Sequence, residues 1–396
     1  MYFKEQLIFA SNGISNYRIP SLIATNDGTV LAFCNDRKNT LDDHATNTVL
    51  VLCRKEINGD WSAPISIMEH EGITCLIGSA VHDKETDTSF IFVKRNVARD
   101  EWKTFTDEEL EILKKQDEEY AKSLGIELGN FQLVSIDSGK TWKTEKVKET
   151  PLILKNVDGE TVSAPIHPHG CSHGIQLRHG AHKGRLLCPS RLFTGKYKDL
   201  IEIRKYAYNN AFYSDDHGKT WTCSKPVQIG TGEGTLIELG NGDILYNSRA
   251  YFADGKRYTA ISHDGGESFG DFGTDAFLQE DKGMGCNASF LRIEREDLGE
   301  ENAKKYLSKD ADSITLFVNP MAEIRKNMTI CISFDNCKTW KVAKTIYEGR
   351  SAYSSLDFSK IDKKFHLIYE KGGEENPYSI GISAVEFDLE WLLSTK

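Results

Sequence analysis

One short pattern occurs four times in this chain, and the repetition restricts the fold more than any other feature. Ser135-Ile136-Asp137-Ser138-Gly139-Lys140-Thr141-Trp142 is the first copy. Ser214-Asp215-Asp216-His217-Gly218-Lys219-Thr220-Trp221, Ser262-His263-Asp264-Gly265-Gly266-Glu267-Ser268-Phe269 and Ser333-Phe334-Asp335-Asn336-Cys337-Lys338-Thr339-Trp340 follow. In the template S-x-D-x-G-x-T-W the carboxylate can bond the amides of its own turn, while Gly takes the φ > 0 position. The hydroxyls can tie the two strand ends and the aromatic can pack beneath. A single turn of this kind says little; four with matching flanks imply a repeated supersecondary unit.

From Asp137 to Asp216, Asp264 and Asp335 the successive spacings are 79, 48 and 71 residues. A blade of four antiparallel strands takes roughly 40–50 residues, so the longer intervals hold a blade plus an insert or a degenerate blade. Phe131-Gln132-Leu133-Val134 and Met328-Thr329-Ile330-Cys331-Ile332 read as strands leading into the first and last copies. Residues 50–61 look like a fifth, eroded copy that kept its turn and Trp61. About six blades fill the 396 residues. The expected fold is all-β: a six-bladed β-propeller of four-stranded antiparallel blades, one domain over residues 1–396.

Hydrophobic content of 39% suffices for a core, and 32 Gly suit a turn-rich architecture. A formal net charge of −10 argues against a nucleic-acid partner. No stretch reaches the ~18–20 apolar residues of a membrane span. Met1-Tyr2-Phe3-Lys4-Glu5-Gln6-Leu7-Ile8-Phe9 reads as a strand, not as a secretory leader. The nine cysteines are odd in number and lack framework spacing, which points to reduced thiols. A cytoplasmic location is therefore expected, with secretion of a processed form left open.

Two segments break the strand rhythm. Thr106-Asp107-Glu108-Glu109 is a capping box, and Leu110, Ile112, Leu113 and Leu124 give helical spacing, so a helical insert is expected over about 106–124. The favoured reading is a solvated surface helix, with a functional lid as the alternative. Residues 296–307 form a second, weaker helix candidate. His167, His169, Cys171 and His173 have spacings that could gather zinc donors, against the plainer reading of a polar loop at a pocket rim. The expectation is no metal and no cofactor.

Tyr17-Arg18-Ile19-Pro20, ahead of an apolar strand, adds a second signature. Together with the four turns it resembles the sialidases (neuraminidases), in particular the bacterial and animal exo-α-sialidases, over nearly the whole chain. The resemblance implies retaining hydrolysis of terminal α-linked sialic acids, with sialylated glycans or gangliosides as substrates. It implies three arginines on the substrate carboxylate: Arg18, Arg249 in Asn247-Ser248-Arg249, and Arg325 in Glu323-Ile324-Arg325-Lys326. Planar guanidinium forks match a carboxylate and stay charged at any working pH.

In Asp36-Arg37-Lys38-Asn39-Thr40-Leu41-Asp42-Asp43-His44-Ala45 the resemblance implies that Arg37 meets the sugar's C4 substituent and Asp42 is the acid/base. The neighbouring Asp43 is the alternative register. Tyr353, in Ser351-Ala352-Tyr353-Ser354-Ser355, corresponds to the nucleophile, and Glu233, in Thr231-Gly232-Glu233-Gly234-Thr235, to its activating carboxylate. A neutral phenol suits a centre that already bears a carboxylate, because an anionic nucleophile would be repelled there. Glu370, in Leu367-Ile368-Tyr369-Glu370-Lys371, corresponds to the glutamate that orients the first arginine.

Three features depart from the family pattern. Cys337 stands where the fourth turn needs Gly, so that turn is expected to be strained or altered. Leu76-Ile77-Gly78-Ser79-Ala80-Val81-His82-Asp83 lacks the Asp-Pro expected there. Arg191-Leu192-Phe193 stands where animal relatives have tyrosines. These departures keep open a glycosidase or trans-glycosidase for a related ulosonic acid. A non-catalytic glycan-binding propeller is the more distant alternative.

Overall fold

A computed structural model describes residues 1–43, 47–97, 106–170, 172–195, 199 and 201–395. Six antiparallel blades follow one another along the chain. Blade I comprises Ser15–Ala24, Val30–Lys38, Thr48–Lys55 and Ile65–Met68; blade II comprises Thr74–Asp83, Thr88–Asn96, Gly129–Ser135 and Lys143–Lys146. Blade III is Ile175–Gln176, Leu186–Phe193, Ala207–Ser214 and Trp221–Cys223, and blade IV is Thr231–Glu238, Ile244–Ala250, Lys256–Ser262 and Gly270–Gln279.

Blades V and VI share a long strand, Lys341–Ser359. Its first half is the outer edge of blade V, pairing Lys326 with Arg350; its second half is the inner strand of blade VI, pairing Ser351 with Lys371. Blade VI ends with an outer strand from the N-terminus, Phe3–Ala10, in register from Phe3 opposite Phe387 to Ala10 opposite Gly381. The ring is thereby closed by the two chain ends, which leaves no open gap between first and last blades.

The repeated turns behave as their chemistry dictates. Asp137 Oδ1 accepts the Thr141 amide at 2.9 Å, Oδ2 accepts the Thr141 hydroxyl at 2.6 Å, and Ser135 Oγ accepts the Gly139 amide at 2.9 Å. The same bonds recur at Asp216, Asp264 and Asp335. The Thr141 hydroxyl and the turn amides hold the Asp137 carboxyl down to about 2. Each turn links the third and fourth strands of blades II to V. Its aromatic also packs towards the preceding blade: Trp142 lies edge-on to Phe33, and Trp221 to Phe90 and Phe92.

Glycine is needed at the turn twice over. A Cβ on Gly139 would lie 2.5 Å from Leu31 of blade I, and one on Gly218 2.5 Å from Phe90 of blade II. In the fourth turn Cys337 adopts φ 65 and keeps the turn intact, its amide donating to Ser333 Oγ at 3.0 Å. Cys337 packs against a cluster that includes Ile237 of blade IV and Phe290 and Phe317 of blade V, so a small side chain is accommodated at this position. The expected alteration of this turn is thus confined to a left-handed residue without glycine.

The 79-residue interval accommodates a hairpin, Leu152–Lys155 with Thr161–Ala164, between blades II and III. The Thr106 capping box starts a helix over Asp107–Ser123, within the second-to-third-strand connection of blade II. The segment 296–307 forms two short helices, Arg295–Leu298 and Glu300–Tyr306, broken at Gly299 with φ 83. Among the described residues no helix is long and apolar enough to cross a membrane. The described cysteines are free thiols, all buried except the partly exposed Cys337; Cys171 lies outside the described residues.

Inner strands begin, second strands end and third strands begin on one face of the ring. The repeated turns, which follow third strands, lie on the other. All of Arg18, Arg37, Glu233, Arg249, Arg325, Tyr353 and Glu370 fall at the first face.

Candidate active site

The inner strands are not regular where they reach that face. Register breaks between Arg18 and Ser21, between Ile77 and Ala80, between Thr231 and Gly234, and between Ser351 and Ser354. A bulge re-aims the side chain it contains, and three of these four contain or adjoin Arg18, Glu233 and Tyr353. At the first, Ile19 has φ 62, an outlier for a β-branched residue, and is followed by Pro20. The Ile19 amide donates to Glu370 Oε1 at 2.8 Å, so a buried carboxylate holds the distortion in place.

Glu370 does more than that. Its Oε1 also accepts Arg18 Nε at 2.7 Å, and its Oε2 accepts the Tyr353 amide at 3.1 Å. One fully buried side chain from blade VI therefore fixes an arginine of blade I and the backbone of Tyr353. The Arg18 guanidinium carbon lies over the Tyr378 ring, 3.5 Å from its centre.

Arg249 donates through Nε to Met284 O at 2.6 Å and through Nη1 to the Tyr353 hydroxyl at 2.7 Å and to Glu233 Oε2 at 2.5 Å. Arg325 donates through Nη2 to Gly285 O at 2.8 Å. The guanidinium carbons of Arg18, Arg249 and Arg325 lie 5.8, 6.0 and 5.6 Å from the Tyr353 ring centre. Three arginines from three blades thus converge on one phenol.

The Tyr353 hydroxyl donates to Glu233 Oε1 at 2.8 Å. Burial pushes the phenol well above its ordinary value, although Arg249 opposes this. Burial also raises the Glu233 carboxyl, but Arg249, Arg191 and the Tyr353 hydrogen bond outweigh it and hold the group down to about 2. At rest, then, Glu233 is anionic and Tyr353 keeps its proton.

Arg37 is fully buried and donates through Nη1 to Leu41 O at 2.9 Å and pairs with Asp43 Oδ1 at 2.6 Å. Asp43 also lies 3.7 Å from Arg18 Nη1 while its side chain stays 64% exposed. Against partial desolvation, Arg37 and Arg18 keep the Asp43 carboxyl well below the usual range. Asp42 is exposed on the same turn, its amide bonded to Thr40 Oγ1 at 3.0 Å. Asp43 of the adjacent pair thus reaches two of the arginines. His44 and Ala45 of the motif lie outside the described residues.

His169 and His173 of the histidine segment turn to separate partners. His169 Nδ1 donates to Ile77 O at 2.9 Å, and burial with Arg191 nearby brings its ring down to about 3, so it is neutral. His173 is directed to Ser355, and Cys171 is outside the described residues. Among the described residues no group of three His, Cys, Asp or Glu is placed to hold a metal ion. The segment instead covers the glutamate: a Cβ on Gly170 would lie 2.9 Å from Glu233 Oε1.

Several residues here carried no signal of their own in the sequence. Arg191, 3.4 Å from Glu233 Oε1, appeared only as a departure from the relatives. Tyr251, whose ring lies 5.1 Å from the Arg249 guanidinium, and Tyr378 were indistinguishable from other aromatics. Five guanidiniums (Arg18, Arg37, Arg191, Arg249, Arg325) surround three carboxylates (Asp43, Glu233, Glu370). An acidic protein therefore carries at this face a cluster of cations suited to an anion.

Comparison with known proteins identifies the family that the chain is similar to. A family model described as a BNR repeat-like domain matches residues 28–367. The chain is 28% identical over 413 residues to a sialidase of Micromonospora viridifaciens, covering 99% of this chain and 54% of that protein. It is 29% identical over 292 residues to Sialidase-4 of Homo sapiens, covering 69% of this chain and 54% of that one. Sialidase-2 of Cricetulus griseus is 25% identical over 357 residues, covering 86% and 84%. The chain spans about half the length of the first two relatives. An intramolecular trans-sialidase structure from Ruminococcus gnavus matches with a TM-score of 0.70 at 16% identity, covering 98% of each chain. The NanB sialidase structure from Streptococcus pneumoniae gives a TM-score of 0.70 at 15% identity, covering 98% of this chain and 71% of that one. These two likenesses concern the fold.

Proposed function

The chain belongs to the sialidase family with its BNR repeat-like domain, and from that premise we propose that it is a retaining exo-α-sialidase acting on terminal α-linked sialic acids of glycoconjugates. The observation that carries the reading is the Tyr353 hydroxyl, donating to Glu233 at 2.8 Å within a ring of Arg18, Arg249 and Arg325. A tyrosine bonded to a buried carboxylate has no structural need for three convergent cations. A substrate carboxylate at the reacting carbon does.

In the proposed sequence the three arginines take the substrate carboxylate and Arg37 contacts the C4 substituent. The substrate carboxylate competes with Glu233 for Arg249 Nη1, which in the free protein donates to both Glu233 and Tyr353. Losing part of that cation raises the proton affinity of Glu233 as the sugar arrives. As the glycosidic bond breaks and positive charge develops at the anomeric carbon, Tyr353 oxygen bonds to that carbon and its proton passes to Glu233. Asp42 protonates the leaving oxygen and then activates the water that releases the sugar with retained configuration. Asp43 is a poor proton donor because Arg37 and Arg18 keep it ionised.

The test is release of a fluorescent aglycone from an α-sialoside, with the anomer of the product followed by NMR. Wild-type turnover giving the α-anomer first, with strong losses in Tyr353→Phe and Asp42→Ala, is expected. Normal turnover by Tyr353→Phe would remove the nucleophile assignment, and a β-anomer as first product would remove retention.

A further inference from the structure

Glu280 and Arg257 belong to none of the motifs above, yet they form an ion pair with no exposed side-chain surface at all. Glu280 Oε2 accepts Arg257 Nη1 at 2.5 Å and the Cys286 amide at 3.0 Å, and Oε1 accepts the Ala250 amide at 3.1 Å. Arg257 Nη1 also donates to Cys286 O at 2.6 Å, and its Nε to Asn247 Oδ1 at 2.7 Å. The pair thus joins the end of Ile244–Ala250, the start of Lys256–Ser262, and the connection from blade IV to blade V.

That connection carries the acceptors of two site arginines. Met284 O receives Arg249 Nε and Gly285 O receives Arg325 Nη2. Gly285 has φ 64, and a Cβ there would lie 2.9 Å from Arg249 Cγ and 3.0 Å from Glu280 Oε1. The connection is therefore pressed against the arginine stem on one side and the buried carboxylate on the other.

We propose that the Glu280–Arg257 pair positions Arg249 and Arg325 for the substrate carboxylate by fixing the Met284 and Gly285 carbonyls that hold them. This assignment rests on the reading of those arginines as carboxylate ligands. Glu370 orients Arg18, and Glu280 does the corresponding work for the other two, at one remove through backbone. A carboxylate is suited to the task because it accepts at two oxygens from three donors, two of them buried amides that would otherwise lack partners. Glutamine in its place turns an NH2 group towards the Ala250 amide or towards Arg257 and Cys286.

The experiment compares Glu280→Gln with Glu386→Gln. Glu386 is also buried and paired, with Lys55 at 3.1 Å and Lys364 at 2.7 Å, but its partners lie away from the site face. In folded Glu280→Gln protein, KM for an α-sialoside and Ki for a 2,3-unsaturated sialic acid analogue are expected to rise about tenfold, with kcat changed less. Glu386→Gln is expected to lower the melting temperature and leave both constants alone. Unchanged KM and Ki in Glu280→Gln, or an equal rise in Glu386→Gln, overturns the proposal.

If Glu280→Gln fails to fold, Asn247→Ala and Arg257→Lys carry the same test. A smaller rise in KM and Ki is expected in each, and unchanged constants in both overturn the assignment. A crystal structure of any folded pair variant gives a readout independent of turnover. Displaced Arg249 and Arg325 guanidiniums are expected, and both in place refute the idea. A wild-type protein that neither cleaves nor binds sialic acids would end the functional reading, while that structure still decides the role of the pair.

Discussion

Replacing Glu370 by glutamine separates what the buried carboxylate does for the fold from what it does for the site. In the wild type it accepts from Arg18 Nε at 2.7 Å, the Ile19 amide at 2.8 Å and the Tyr353 amide at 3.1 Å, with no solvent to share the load. The variant takes the fully buried carboxylate from the Arg18 charge and leaves it to the exposed Asp43 at 3.7 Å, which costs about 3–5 kcal/mol. For 396 residues, the entropy of unfolding is of order 0.8 kcal/mol/K, so the melting temperature should fall by about 4–6 °C. Because Arg18 and Tyr353 both lose alignment, kcat/KM should fall by about 10²-fold or more.

Adding Arg18→Met to Glu370→Gln removes the buried charge that has lost its buried partner. That double variant should recover most of the lost stability and none of the activity. Melting and sialoside hydrolysis measured on wild type, single and double variants decide the matter. A single variant that melts within a degree of wild type and keeps its KM refutes the argument, as does a double variant less stable than the single.

Three further outcomes follow from the geometry. Glu233 has its folded pKa depressed from 4.5 to about 2, so it contributes stability present above pH 4.5 and lost as pH falls through about 2; that contribution is of order 3 kcal/mol and should be missing from the acid unfolding curve of Glu233→Gln. Asp42→Ala should lose 10²–10⁴-fold in kcat/KM on alkyl aglycones and much less on a nitrophenyl aglycone that needs no proton, whereas Asp43→Ala should keep the wild-type dependence on leaving group; the reverse pattern would transfer the acid/base role to Asp43. Gly139→Ala should destabilise by about 2 kcal/mol or more in a thermal melt, since its Cβ meets Leu31 at 2.5 Å with φ 79, while Cys337→Gly should change stability by less than about 1 kcal/mol because released left-handed strain is offset by lost packing and chain entropy.

The parts of the fold that the sequence disclosed are those built by local bonding. Asp137, Asp216, Asp264 and Asp335 bond amides within four residues, so their turns have a fixed spelling. The Thr106 box is local for the same reason. Blade number followed from spacing, but the pairing of Phe3–Ala10 with Gly381–Asp388 did not, because nothing local specifies a partner so distant. The site divides likewise. Tyr353 is one of fifteen tyrosines and stood out only through its place in a family order. Glu280 and Arg257 act through backbone carbonyls, whose neighbours no side-chain motif encodes. Asp43, next to Asp42 in the motif, meets Arg37, and spacing along the chain does not by itself specify that contact.

The clasp between the chain ends has a consequence for the order of folding. Arg18 and Glu370 are 352 residues apart in sequence, and Tyr353 hangs from the same carboxylate. Blades II to V can collapse around neighbouring contacts while that bond is still unmade. Loop-closure entropy makes a contact of such separation late and slow. Catalytic competence should therefore emerge last on refolding, after most of the sheet signal has returned. A cut that removes the first ten residues should delay or abolish activity although none of the side chains placed in the site belongs to them. The site is, in this sense, a timer that starts only when the circle is complete.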